Sequence, residues 1–330
     1  MSEPYSQTID VDALQDIGDD LRRPECVLCT ADGSVFVSDW GGGVCQIAPD
    51  GGQTRFLAAD PTIDLKPNGI ALQPDGSFLL ANLGDDGGVW RLGRNGDIQP
   101  FVAEIENQRL PPANFVVSDH QGRTWISIST RTRPRADAYR PDVADGYIVV
   151  VDHDGARIAA DGLGYANEVQ IHPSGKWLYV NETFARRTSR LPILSNNELG
   201  KPETVTEYGR GTFPDGLCFD EAGGFWVVSI VSNRVIRVDS DGEQTVIIED
   251  ADESHIDWVE NALQSGNMGR PHLDRICSKR LGSVSSIAFG GPERRLSYLG
   301  CLLGTSIMTF KTPVAGVEPV HWHWHKGRAH

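Results

Sequence analysis

Short apolar runs punctuated by tight turns order this chain, and six of them share one register: PECVLCTADG, PNGIALQPDG, ANFVVSDHQG, ANEVQIHPSG, PDGLCFDEAG and VSSIAFGGPE. In each, a polar residue opens an apolar strand. Seven positions later comes the turn, and in the first five copies its next residue is Gly. DG-type turns between apolar runs are a strong hairpin signal. A second strand follows each turn (VFVSDW, FLLANL, TWISIS, WLYVNE, FWVVSI, LSYLGC). A third comes after a loop (GVCQIA, GVWRLG, GYIVVV, TSRLPI, RVIRVD, SIMTFK). Four copies show a second turn and a fourth strand: TRFLA, IQPFV, ARIAA and QTVII. Six copies of one four-stranded antiparallel unit predict an all-β fold, a six-bladed β-propeller. Residues 1–330 are read as one such domain.

Successive turns lie 43, 46, 53, 48 and 70 residues apart, so the variation sits in loops. Two insertions account for it, at 129–146 and 250–283. The second contains HIDWVENALQ, whose Ile256, Val259 and Leu263 have helical spacing, so one short helix is expected before the last blade. Strand parity puts both insertions at the end of the ring where the inner strands begin. Long loops over a site are usually functional, although packing against a partner subunit is the competing use.

The inner strands open on Glu25, Asn68, Asn114, Asn167, Asp215 and Ser285. Closing the ring brings these six side chains towards its axis. Two carboxylates and three amides with no Lys or Arg among them suit a hard divalent cation. Without a cation, neighbouring carboxylates repel, and either one takes a proton or both need outside donors. The alternative is a polar plug that hydrogen-bonds water across the channel. The mixture of acids and amides favours the cation.

Composition narrows the partners. The chain carries 30 basic and 45 acidic residues, net −15. Such a charge repels a phosphate backbone, so no nucleic acid is expected. No apolar stretch reaches the ~20 residues of a spanning helix. The N-terminus is acidic and has no apolar leader, so the expected location is cytoplasmic and off the membrane. Cys26 and Cys29 have CxxC spacing, but positions i and i+3 of a strand face opposite ways and no second CxxC exists. Core thiols are the favoured reading.

The blade openings around Glu25, Asn114, Asn167 and Asp215, and above all FPDGLCFDEAGGFWVVSI, resemble the SMP-30/gluconolactonase/luciferin-regenerating-enzyme family. The resemblance runs from about Arg22 to Lys311. It implies a six-bladed propeller that hydrolyses lactones with one divalent metal, calcium first, with zinc, magnesium, manganese or iron as variants. It implies Glu25, Asn167 and Asp215 as metal ligands, with Asp215 the candidate general base and Glu25 beside it. It implies a substrate contact at Asn114, and Asn68, by its own amide chemistry, suits a second one. Two departures stand out. Where sugar-lactone members often carry R-x-N-D-G, this chain has Pro112, Ala113, Asn114, Phe115 and Val116. Phe115 in place of a charged residue points to a small or relatively apolar lactone. Glu168 replaces a usual Gly and is either solvent-facing or a further acid near the metal. A homo-oligomer stays open.

Two other classes compete. One is a non-catalytic propeller that binds a ligand or protein at the same face. The other is a strictosidine-synthase-like enzyme acting on a carbonyl, for which Glu168 or Glu182 would control turnover. The tail VEPVHWHWHKGRAH alternates His321, His323 and His325 with Trp322 and Trp324. A last strand with Trp inward and His wet is favoured over a three-His metal site, and a tail folded over the pocket is the third option. Among the remaining histidines, His255 and His272 lie in the second insertion and are the two worth testing. No GxSxG or GxGxxG is present, which argues against a serine hydrolase and a nucleotide site.

Overall fold

A computed structural model describes residues 8–324. It contains six four-stranded antiparallel sheets arranged as six blades. The inner strands are Val27–Cys29, Pro67–Leu72, Phe115–Ser118, Ala166–Ile171, Pro214–Phe219 and Val284–Gly290. Each pairs with the strand after its turn, for example Phe219 with Phe225 and Ser118 with Thr124. Five blades take all four strands consecutively. The sixth takes three and is completed by Gln15–Ile17, which pairs with Ile307–Lys311 as Gln15 with Thr309. The start of the chain therefore closes the ring. The sequence pattern did not reveal this three-residue strand, because nothing within QDI has strand periodicity.

The inter-strand turns have a physical reason. Asp220 Oδ1 accepts from the backbone N–H groups of Ala222 and Gly224, both at 2.9 Å. Its Oδ2 accepts from Trp226 Nε1 at 2.9 Å and Arg237 Nε at 2.7 Å. Asp119 repeats the device in blade three, with Arg123 Nε at 2.6 Å and Trp125 Nε1 at 2.9 Å. Each carboxylate thus ties the turn backbone to a core tryptophan, and both tryptophans are fully buried. Blades are joined by aromatic contacts. Trp226 meets Phe289 edge-on at 5.5 Å between ring centres, and Phe36 meets Phe78 at 5.7 Å. Such pairs add about 0.5–1.5 kcal/mol each beyond the area they bury.

The helix α1 spans Glu253–Gln264, with Asp252 capping it by accepting from the His255 N–H at 2.9 Å. It buries Ile256 and Val259 completely, against Ala138 and Tyr139 of the first insertion and Phe213 of blade five. Glu260 fastens the helix by accepting from the Gly211 N–H at 2.6 Å and Arg186 Nη2 at 2.7 Å. The two insertions therefore share one apolar cluster. Among the described residues no helix is long and apolar enough to cross a membrane.

All six cysteines are free. Cys26 and Cys29 are buried in separate apolar clusters, as opposite faces of a strand require. The tail departs from expectation. Residues 320–323 form turns, not a strand, and run under the ring at the end away from Glu25. Trp322 and Trp324 are buried, and Trp324 packs on Phe36 and the Arg94 guanidinium. His323 is exposed beside Glu318, and His325 lies outside the described residues. His321 is half-buried, and its Nε2 lies in the interior with no partner.

Burial pushes the His321 imidazole down to about 4. The folded chain therefore holds it neutral, while the unfolded chain protonates it near its ordinary value. Its contribution is fully present above pH ~6.5 and drains away as pH falls towards 4. Between pH 7.5 and 5, urea titrations of the wild type should show on the order of 2 kcal/mol more loss than those of His321→Gln. Equal losses in the two proteins would contradict the assignment.

Candidate active site

Where the inner strands begin, a cavity of about 50 Å³ opens on the axis. Ring residues Glu25, Asn114, Asn167 and Asp215 line it, together with Arg135 and Tyr139 from the first insertion and Arg270 and Leu273 from the second. Both insertions therefore reach the ring.

The backbone explains how the polar side chains are aimed. Strand pairing is broken by bulge-like irregularities between Pro67 and Ile70, Ala166 and Val169, Pro214 and Leu217, and Val284 and Ser286. Asn68, Asn167, Asp215 and Ser285 each sit inside one. Such irregularities re-aim side chains next to sites, and period-two reasoning cannot foresee them. After two of these residues the chain needs Gly. A Cβ on Gly216 would lie 2.7 Å from Ser286 Cα, and one on Gly69 would lie 2.7 Å from Phe115 Cα. The next blade's inner strand occupies that space, so N-G and D-G here reflect close approach between blades.

Asp215, Asn167 and Glu25 are each under a tenth exposed. Asn167 hydrogen-bonds the Asp215 carboxyl and donates from Nδ2 to Thr183 Oγ1 at 3.0 Å. Thr183 in turn donates to the Pro214 carbonyl at 2.8 Å. Glu25 accepts from Arg23 Nε at 2.7 Å, and the Arg23 guanidinium lies on the Trp40 ring. Burial, then the charges of Glu25 and Glu168, push the Asp215 carboxyl well above the usual range, while Arg23 and Asn167 pull it down. The charges of two buried carboxyls thus bear on Asp215, and Arg23 is the guanidinium that bears on it from the other side. A divalent cation held by Glu25, Asn167 and Asp215 matches that deficit and the oxygen chemistry of the set.

The remaining expected residues divide. Asn114 lines the cavity. Asn68 does not; it donates from Nδ2 to the Asn114 carbonyl at 2.9 Å and more weakly to Asn114 Oδ1 at 3.4 Å. It stands behind Asn114, which then has its own Nδ2 to offer. Ser285 donates to the Glu25 carbonyl at 3.0 Å and so braces the neighbouring blade.

Phe115 and Glu168, expected among the substrate contacts, line a different and larger cavity of about 320 Å³ on the far side of the ring. The bulge at Asn167 turns the next residue away from the upper pocket. Glu168 is not solvent-facing: it is 4% exposed, accepts from Gln170 Nε2 at 3.1 Å, and burial raises its carboxyl to about 8. Glu182 is fully buried and taken up by Arg187 Nε at 2.6 Å, Ser189 and the Gly164 N–H, so it has no free oxygen for a base. His255 and His272 pack on Trp258 and do not line the cavity.

Sequence reasoning missed Arg23, Thr183, Arg135, Arg270 and the aromatic wall of Tyr139, Tyr165 and Phe184, in which Tyr139 stacks on Phe184 at 4.6 Å. Arg23 was within reach as part of RRPE directly before Glu25. The others come from the insertions or, for Tyr165, Thr183 and Phe184, from the short links that flank the strands of blade four.

The family model described as the SMP-30/Gluconolactonase/LRE-like region matches residues 23–255. A 6-deoxy-6-sulfogluconolactonase from Pseudomonas putida is 27% identical over 181 residues, 53% of this chain and 57% of that protein. The match thus spans little more than half of that relative's length. Among solved structures, a gluconolactonase from Xanthomonas campestris superposes with a TM-score of 0.66 at 19% identity, covering 91% of this chain and 89% of that one. The calcium-binding protein regucalcin from Agrobacterium tumefaciens superposes with a TM-score of 0.64 at 17% identity, covering 94% and 93%. A luciferin-regenerating enzyme superposes with a TM-score of 0.68 at 15% identity, covering 94% and 99%. At these identities the superpositions establish the shared propeller. With most of the chain matched by the family model, from the residue before Pro24 to the helix α1, this protein belongs to the SMP-30/gluconolactonase/LRE-like family.

Proposed function

We propose that the upper pocket opens the ester ring of a lactone to the hydroxy acid, with one divalent cation held by Glu25, Asn167 and Asp215. The observation that carries this is the burial of Asp215 and Glu25 against one another at the mouth of the channel, beside amides that can hold an ester. The names of the relatives agree: two are gluconolactonases of some kind and one binds calcium. When bound, a divalent cation supplies Lewis acidity towards the carbonyl oxygen and lowers the pKa of a bound water.

The chain's own residues do the rest. Asp215 accepts the proton of the attacking water, and the charge of Arg23 and the hydrogen bond with Asn167 favour the ionised form that can do so. Arg23 holds one Glu25 oxygen and leaves the other for the cation. Asn114, fixed from behind by Asn68, directs its amide N–H at the ester. Tyr139, Tyr165 and Phe184 form an apolar wall that limits water and favours a compact lactone over a polyhydroxylated one.

The test is a panel of γ- and δ-lactones followed with a pH indicator, using protein as purified, chelated, and reloaded with calcium, magnesium, manganese or zinc. Ring opening that vanishes on chelation and returns with one of these ions is the expected result. Absence of any turnover on the panel, with anion or ligand binding intact, would favour the non-catalytic propeller instead.

A further inference from the structure

The wall of the upper pocket has an electrostatic character that the ring does not explain. Three arginines, Arg23, Arg135 and Arg270, line it, in a chain of net charge −15. Two of them have a carboxylate partner. Arg23 is committed to Glu25, and Arg270 is held by Asp274 through Nε at 3.0 Å and by Tyr139.

Arg135 is different. Among the described residues no carboxylate lies within ion-pair distance of it. Its Nη2 makes one long bond, 3.3 Å, to Ser129 Oγ, and its Nε is buried with no partner. A guanidinium has five N–H donors in a fixed fork that suits an oxyanion, and a buried donor without an acceptor is costly. A ligand oxyanion removes that cost. The Tyr165 ring lies 5.7 Å from the guanidinium carbon and helps hold the fork over the pocket.

From this we infer that the lactone carries an anionic substituent, a carboxylate or a sulfonate, which Arg135 binds while the ester faces Asn114 and Asp215. The inference rests on the lactonase reading. It makes the first insertion a specificity element: the ring performs the hydrolysis, and Arg135 on residues 129–146 selects the substrate.

The experiment uses matched lactones of one ring size: γ-valerolactone, γ-butyrolactone with a carboxylate at the γ position, and the sulfonatomethyl analogue. Wild-type protein should open at least one anionic lactone with a kcat/KM about tenfold or more above the neutral one. In Arg135→Gln the anionic-to-neutral ratio should fall by at least about tenfold, and Arg135→Lys should recover part of it. An unchanged ratio, or a wild-type preference for the neutral lactone, overturns the inference and leaves lactone hydrolysis standing. The carboxylate and sulfonate arms distinguish the two anions. A second readout separates the two failures: thermal shift with the ring-opened hydroxy diacid. If no lactone turns over, stabilisation by the diacid that Arg135→Gln loses keeps the anion site, and stabilisation equal in both proteins, or none, removes it.

Discussion

Replacing Asp215 by Ala is expected to lower kcat/KM for lactone opening by at least about 10³-fold, the range of a lost general base. Two functions disappear together. Asp215 is the buried carboxyl that burial and the charges of Glu25 and Glu168 hold far from its ordinary behaviour, and in the proposed site it is one of three oxygen donors for a cation. The fold should tolerate the change. The Asp215 carbonyl, which accepts from Asn181 Nδ2 at 2.9 Å, is backbone and stays, and removing one of several mutually repelling acids relieves strain. Circular dichroism and urea titration of the variant should therefore resemble the wild type while activity is lost. Asp215→Asn is the sharper comparison, since it keeps the shape and an oxygen donor but not the base. Activity within tenfold of wild type in Asp215→Asn would remove Asp215 from the role of base.

A second large effect lies at the opposite end of the blade and concerns stability alone. Asp220→Ala should destabilise the protein by about 3–5 kcal/mol, the cost of breaking a buried ion pair from one side. The Asp220 side chain is wholly buried and Arg237 is 11% exposed. Truncation removes at once the acceptor used by Arg237 Nε, the Trp226 indole N–H and two turn N–H groups. Urea unfolding should show a lower midpoint at unchanged slope, and the residual folded protein should keep its lactone kinetics because Asp220 does not line the upper pocket. A loss below about 1 kcal/mol would mean that the turn is held by its glycines and not by the carboxylate.

The contrast between these two aspartates shows what a sequence can convey here. Both belong to the run FPDGLCFDEAGGFWVVSI. Its turn spacing identifies a hairpin, and six copies identify a propeller, because local alternation and turn chemistry repeat whatever the tertiary context. The same register singles out Glu25, Asn114, Asn167 and Asp215, all of which the structure gathers around one cavity. Legibility stops where a feature depends on partners distant in sequence. The strand Gln15–Ile17 acquires meaning only by pairing with Ile307–Lys311. Asn167 lies in a bulge and Glu168 after it lines the lower cavity, a local irregularity that the sequence pattern does not encode, whereas Phe115 reaches that cavity from a regularly paired strand. Arg135 sits in a basic run whose members Arg131 and Arg140 pair with Asp161 and Asp142 at the surface, so composition alone gives no sign that one of them turns inward. The His and Trp alternation of the tail suggested a strand, yet its tryptophans are buried from turns that cap the underside of the ring.

The central claim is that Glu25, Asn167 and Asp215 hold one divalent cation on which the chemistry of the pocket depends. Metal content per chain, measured by elemental analysis on wild type and Asp215→Ala dialysed together against limiting calcium, tests it most directly. The account predicts close to one equivalent in the wild type and a small fraction of that in the variant. Equal content in the two proteins, or none in either, would contradict it.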